Sequence, residues 1–346
     1  MKNKLVIRVD GGFEIGMGHI THTMNLAFYL QNYYGYEVVF YSKEKAWVEF
    51  VRENGYFVRK LPAVDFAQEG EVILSLLAGE QSRAVIFDLP VFYWSRYNGI
   101  FMLIKEFGLP LIFLNNTVSN RSVADLTINS LCHVPYPAGE VLGANVYEGL
   151  EYLVFNRQFI DYARRQKIIR PVHKKILVSF GGSDPAGITA KILPLLEDIP
   201  AEAEITLVLG PAYRDENALE EYLSKADRQF QVRQNIKNMA EELYNADLAL
   251  LSLGTTAYEA ALVGTPALLI NPYPLHVQVA EELARYGYCR NLGLLTPENR
   301  DSIRGEILDV LEDTARLCEM SFNARKCMDG LGWQRTIELM RRRLEI

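Results

Sequence analysis

The sequence predicts an α/β protein built from two doubly wound, parallel-sheet domains. Three observations carry that expectation. Short Val/Ile/Leu-rich runs alternate with helix-length segments along the chain, as in strands covered on both faces. The pattern restarts at Lys174, after a charged segment around 160–174. Two glycine-centred turns, far apart in the chain, each lie between an apolar run and a helical one. Ligands of such folds bind there, beyond the carboxyl ends of the strands. At 346 residues the chain is long for a single core, which also favours two domains.

In order, the first half reads as strands at Leu5–Val9, Glu37–Tyr41, Phe57–Leu61, Ala84–Phe87, Pro110–Leu114 and Leu126–Ile128. Helical segments fall between them at Ile20–Tyr34, Lys45–Asn54 and Ser95–Phe107. The second half continues with strands at Lys174–Ser179, Glu204–Leu209, Gln231–Arg233, Leu248–Leu251 and Ala267–Ile270. The domains expected are 1–160, 170–330 and a terminal helix over 331–346. No low-complexity segment or short repeat interrupts them.

Composition narrows the function classes. Hydrophobic residues make up 49% and charged residues 23%, the balance of a globular protein. The net charge of −7 argues against broad nucleic-acid binding, so an anionic ligand has to be held by local dipoles and a few donors. Arg341-Arg342-Arg343 reads as a solvated face of the terminal helix. The four cysteines show no CxxC spacing and suggest neither a zinc site nor a disulfide framework. The opening reads as a strand rather than a signal peptide. The richest apolar stretch, Ile100 to Leu114, is broken by Lys105, Glu106, Gly108 and Pro110. A reduced, cytoplasmic protein without a transmembrane segment is expected.

The first glycine turn, Gly16-Met17-Gly18-His19, follows the strand ending near Asp10 and opens a helix. A helix start offers unpaired N–H groups and the positive end of a dipole, which suits phosphate. The turn is not a dinucleotide fingerprint. Thr21 stands where the third glycine belongs, and Phe40-Tyr41-Ser42 lacks the acidic residue that holds an adenosine ribose. His19, at the mouth of the turn, can exchange a proton near neutrality, since imidazole titrates near ~6.5. His22 lies one turn on, but no carboxylate of matching spacing accompanies the pair, so no metal is expected.

The second turn, Ser252-Leu253-Gly254-Thr255-Thr256, opens a helix that carries Glu259. Thr256 and Glu259 have capping-box spacing. Alternatively, Glu259 accepts hydrogen bonds from a ribose diol while Thr255 and Thr256 meet phosphates. A third strand end, Ser179-Phe180-Gly181-Gly182-Ser183-Asp184-Pro185, combines a capped helix start at Pro185 with two glycines that could cradle a ligand. His276 and Gln278, after Asn271-Pro272-Tyr273-Pro274, begin another helix and suit polar contacts to a sugar.

Read in order, Arg8-Val9-Asp10, Ile15 to His19, Tyr152 to Phe159, Val178 to Pro185 and Gly254 to Glu259 resemble the successive motifs of a known family. It is the UDP-sugar hydrolase family of pseudaminic acid biosynthesis, whose motif string is shared by SpsG-type spore-coat polysaccharide proteins. The resemblance implies a GT-B fold like that of the MurG glycosyltransferase, a UDP-sugar in an interdomain cleft, and neither an obligatory metal nor a cofactor. It implies that the terminal helix crosses back onto the first domain. It also implies inverting cleavage of the anomeric C–O bond, with His19 as base. Asp10, Gly16, Gly18, His22 and Asp88 would serve the substrate from the first domain. Gly182, Ser183, Gly254, Thr255, Thr256, Glu259, His276 and Gln278 would serve it from the second.

The chain departs from the family pattern at four places. His22 replaces an arginine, Asn115-Asn116 replaces a paired Asp-Asp, Asp88-Leu89-Pro90 replaces Asp-x-Tyr, and Val277-Gln278 replaces Asn-Gln. These changes fall on the sugar-reacting half, so an inverting glycosyltransferase stays open beside hydrolysis. A non-catalytic nucleotide-sugar sensor, the third reading, has no use for His19. The oligomeric state is left open.

Overall fold

The computed structural model describes residues 3–11, 17–136, 142–234 and 236–345. The chain divides into two compact units, 1–155 with 331–346, and 156–330. In the first, the elements are β1 (Lys4–Val9), α1 (Gly18–Tyr34), β2 (Glu37–Ser42), α2 (Lys45–Glu53), β3 (Phe57–Lys60), α3 (Phe66–Glu80), β4 (Ala84–Asp88), α4 (Asn98–Glu106), β5 (Leu111–Leu114), β6 (Leu126–Asn129) and β7 (Val146–Glu148). The second unit opens with α5 (Arg157–Ala163), β8 (Lys175–Ser179), α6 (Ile188–Leu196), β9 (Glu204–Leu209), α7 (Glu216–Leu223), β10 (Gln231–Gln234) and α8 (Met239–Asn245). It continues through β11 (Leu248–Leu251), α9 (Thr255–Leu262), β12 (Ala267–Asn271), α10 (Pro274–Ala284), β13 (Cys289–Leu294), α11 (Arg300–Glu312) and α12 (Thr314–Cys327). The last helix, α13 (Gly332–Leu344), returns to the first unit.

Each unit is a parallel sheet wrapped by helices. The strand orders are β3-β2-β1-β4-β5-β6-β7 and β10-β9-β8-β11-β12-β13. The order reverses beside the first strand of each unit, and that reversal opens a crevice at the carboxyl edge. In the first sheet Val9 pairs with Asp88, Asp88 with Leu114, and Leu114 with Ile128, so these strand ends form one row. Side chains of the inner strands β4, β5, β6, β11 and β12 are buried on both faces, as their continuous apolar runs require, whereas the edge strands β3 and β10 are largely exposed. An aromatic layer of Phe87, Trp94, Tyr97, Phe101 and Phe113 fixes α4 against β4 and β5. The second core joins Ile176, Val178, Leu207, Leu250 and Leu268 to α6, α11 and α12.

Where structure and sequence expectation differ, local chemistry gives the reason. The helix expected from Pro185 starts at Ile188, because Asp184 accepts hydrogen bonds from the Ile188 and Thr189 amides at 2.9 and 2.7 Å. The Gly181-Gly182 turn is pressed against Gly210, whose missing Cβ would lie 2.4 Å from the Gly182 Cα. Strands β7 and β13 were not expected: the first spans only Val146–Glu148, and the second mixes Arg290 and Asn291 into an apolar run. Helix α5 belongs to the second unit, where Tyr162 packs on Tyr244 with ring centroids 5.4 Å apart.

Helix α13 is fixed to the first unit by stacking of Trp333 on Tyr29, centroids 4.4 Å apart and 9° from parallel. Thr336 donates to the Tyr152 carbonyl at 2.8 Å. The arginine cluster on α13 lies on side chains of the same unit. Arg341 lies over the Tyr34 ring, and Arg343 meets Tyr147. Among the described residues no helix is long and apolar enough to cross a membrane.

Candidate functional site

Helix α1 starts directly at Gly18, so His19 stands in its first turn, with no side-chain cap before it. Its Nδ1 lies 2.6 Å from Oδ1 of Asp88, the last residue of β4. The other oxygen of the same carboxylate, Oδ2, lies 2.9 Å from Nδ1 of His22. Two imidazoles therefore share one carboxylate, which is fully buried at 0% exposure. Burial alone would raise the Asp88 pKa. The charge and hydrogen bond of His19, together with those of His22, outweigh it and hold the carboxyl below its ordinary range.

An ionised carboxylate only accepts hydrogen bonds, so both rings carry a proton on Nδ1. The basic nitrogen of each neutral ring is then Nε2. His22 has its Nε2 buried and unpartnered, with the side chain 6% exposed, whereas the His19 side chain is 25% exposed. His19 is the ring that can reach a ligand. Burial by itself would lower its pKa; the Asp88 charge and hydrogen bond, helped by the Asp10 charge, raise it above the ordinary imidazole value.

Two residues expected to touch substrate are otherwise engaged. Asp88 spends both oxygens on histidines, which makes it an orienting group. Asp10 is 3% exposed, receives Arg8 Nη2 at 2.5 Å, and accepts from Ser42 Oγ and the Lys43 amide at 3.3 and 3.0 Å. Arg8 in turn binds Glu69 and Tyr97 at 2.9 and 2.8 Å, and Lys43 reaches Glu69. This buried network of two cations and two carboxylates fixes the ends of β1 and β2. Substrate contact by Asp10 or Asp88 would have to break these bonds. Gly16, with the neighbouring part of the first glycine turn, lies outside the described residues.

In the second unit, α9 and α10 begin side by side, after the adjacent strands β11 and β12. Neither has a side-chain cap: Gly254 stands at one N-terminus and Tyr273 at the other. Pro274 opens α10 without an N–H, so the amides left for water or a ligand begin at Thr255 in α9 and at Leu275 in α10. By contrast, Asn238 caps α8 through the Glu241 amide. Gly254 is extended, with φ at 175°, and nothing lies within 4 Å of where its Cβ would be. Neither backbone strain nor protein packing calls for glycine here. The capping box expected of Thr256 and Glu259 does not form, because both lie inside the helix.

The carboxyl of Glu259 has no partner among the described residues, and burial pushes its pKa up to about 7. His276, in the first turn of α10, is set edge-on to Tyr273 at 5.4 Å. Its Nδ1 is buried without a partner, and burial lowers its pKa. Thr255 and Thr256 are half-buried in the first turn of α9, Gly182 and Ser183 are half-buried after β8, and Gln278 is exposed on α10. Among the described residues no group of three His, Cys, Asp or Glu is placed to hold a metal.

Sequence reasoning missed the histidine–aspartate pairing, because Asp88 is 69 residues from His19 and only the β1–β4 pairing joins them. It also missed Asn271, whose 1% exposure and side-chain bonds to Leu253 and Asn291 become visible only in the fold.

Two Rossmann-like units with this arrangement define a GT-B fold. MurG of Acinetobacter baumannii superposes with a TM-score of 0.70 at 15% identity, over 99% of this chain and 100% of that one. In sequence the chain is similar to the spore coat polysaccharide biosynthesis protein SpsG of Bacillus subtilis, 25% identical over 94% of each chain. It is 28% identical to an uncharacterized protein of Methanocaldococcus jannaschii, over 77% of this chain but only 55% of that relative's length. No family model matches.

Proposed function

We propose that the chain processes a UDP-linked sugar by inverting displacement at the anomeric carbon, in the synthesis of a surface polysaccharide or related sugar. The observation that carries this reading is the half-accessible His19 ring, held by its Nδ1 on a buried carboxylate. A base so oriented takes the proton of an attacking hydroxyl on Nε2. The hydroxyl oxygen bonds to the anomeric carbon, and the bond from that carbon to the phosphate oxygen breaks with its electron pair. UDP leaves as the diphosphate. The uncapped starts of α9 and α10, with the Gly182-Ser183 turn, would take up the developing charge through fixed N–H groups. Glu259 would accept from the ribose diol. The similarity to SpsG supports the polysaccharide setting.

Water as the nucleophile gives a hydrolase, the preferred reading. The second reading uses an acceptor hydroxyl in its place; the likeness to MurG and the altered position Val277 favour it. The test is incubation with a panel of UDP- and CMP-linked sugars, with and without acceptor alcohols, followed by NMR. Release of UDP in buffer alone supports hydrolysis. Release that needs an acceptor establishes transfer, and no turnover of any UDP-sugar by folded protein removes the proposal.

A contact between Glu259 and ribose also predicts a proton signature. A carboxyl with a pKa of about 7 is half protonated at neutral pH, and accepting hydrogen bonds favours its charged form. UDP binding at pH 7 should therefore release roughly half a proton, read as a dependence of the calorimetric enthalpy on buffer ionisation. Glu259→Ala should abolish that release and weaken UDP roughly tenfold to a hundredfold, the worth of a hydrogen bond to a charged group. Unchanged affinity in the variant would reduce Glu259 to a structural residue.

A further inference from the structure

His22 is buried in the site, and the proposed reaction gives it no task. It stands three residues after His19 on the same side of α1, so the two rings meet the Asp88 carboxylate together. His19 is partly exposed and can reach a ligand, whereas His22 is closed off. Its Nε2 is buried and has no partner among the described residues. A proton added there would make a buried donor without an acceptor, which is costly. His22 therefore serves through Nδ1, as an N–H donor 2.9 Å from Oδ2 of Asp88.

The consequence falls on His19. The charges that face its ring are Asp88, at the end of β4, and Asp10, just after β1. Asp10 is matched by Arg8 and also accepts from Ser42 and the Lys43 amide, so most of its charge is already compensated. Asp88 is hydrogen-bonded, among the described residues, by the two imidazoles and by no Arg or Lys. How firmly Asp88 holds a proton on His19 thus depends on what occupies its other oxygen. We propose that His22 is a positioning residue that holds Oδ2 of Asp88, draws on its charge, and so lowers the pH at which the His19 ring is free to act as a base. A donor on one carboxylate oxygen stabilises the ion and makes the other oxygen a weaker acceptor. Without that donor, the whole charge of a buried carboxylate would act on His19 and keep the ring as an imidazolium, which cannot take a proton. With both oxygens held, the carboxylate plane is also fixed, and Oδ1 stays directed at Nδ1 of His19.

This role rests on the reading of His19 as base, and the test keeps the two apart. The His19 ring is titrated by proton–nitrogen NMR in the full chain without substrate, for the wild type, His22→Leu, His22→Asn and His22→Arg. Loss of its signal in His19→Asn assigns it. His22→Leu removes the donor and should raise the His19 midpoint by about half a pH unit or more, the equivalent of one hydrogen bond. His22→Asn keeps an N–H on Oδ2 and should leave the midpoint close to that of the wild type. His22→Arg places a permanent cation on the same oxygen and should lower it. Opposite shifts in the Leu and Arg variants are not what loosened packing produces. His22→Arg also keeps the test decisive if His22→Leu does not fold. An unchanged or raised midpoint in folded His22→Arg overturns the role of His22. The rising limb of the pH–rate profile with a UDP-sugar should follow the midpoints, to higher pH in His22→Leu and to lower pH in His22→Arg. Midpoints that shift as stated beneath a limb that stays in place overturn the reading of His19 as base and leave the sharing of Asp88 standing.

Discussion

His19→Asn is expected to leave UDP affinity intact and to cut turnover by ~10²–10⁴, the usual worth of a general base. The substitution suits the geometry. The asparagine amide can take the place of Nδ1 and keep the bond to Asp88, while nothing replaces Nε2. The loss should therefore fall on kcat rather than KM, as for a group that acts only at the transition state. Near-full turnover in a folded His19→Asn protein would remove His19 from the mechanism. His22→Asn should cost less, because its amide keeps the donor to Asp88 and the His22 Nε2 is buried.

Asp88→Asn should be nearly as damaging by a different route. An amide in that place turns its NH2 group toward one of the two imidazoles and forces the wrong tautomer. In comparable aspartate–histidine pairs this costs up to about 10⁴ in turnover. It also removes the charge that raises the His19 pKa, with a defined sign. The base works deprotonated, so activity rises with pH through the His19 pKa, which lies above the ordinary imidazole value. In Asp88→Asn the rising limb should move to lower pH, and residual activity there should depend less on pH near neutrality. A loss with an unshifted profile would mean that Asp88 only supports the fold. Stability has a matching sign. A His19 pKa raised in the folded state makes the His19–Asp88 ion pair a contribution that is full below the unfolded imidazole pKa. It is lost as pH climbs through the folded one.

The architecture was largely legible because its signal is local. Runs such as Ala84–Phe87 and Leu248–Leu251 are apolar on both faces, and only a covered parallel sheet accommodates many of them in series. The helix starts at Gly18 and Gly254 were marked by glycines next to apolar runs. What the sequence concealed is set by pairing across the sheet. Asp88 was assigned to the substrate by the family resemblance alone, with nothing in the sequence to show its partners. Here β4 lies beside β1, and the two histidines of α1 close over the carboxylate. Asp10 was hidden in the same way by Arg8, which points back along its own strand end. Thr256 and Glu259 had the spacing of a cap but lay two and five residues past the extended Gly254, so the carboxyl was left without the amide it was expected to bind. Sequence spacing identifies which groups share a helix; it does not show which strand end they face.

Oxygen tracing tests the displacement at carbon most directly. The enzyme is run in ¹⁸O-water with a UDP-sugar that it turns over, and the first products are analysed by mass spectrometry and proton NMR. With His19 delivering water to the anomeric carbon, the free sugar carries the label on its anomeric oxygen and appears first as the inverted anomer, and UDP is unlabelled. Label in the phosphate of the released nucleotide, or a sugar first seen with retained configuration, would contradict the mechanism.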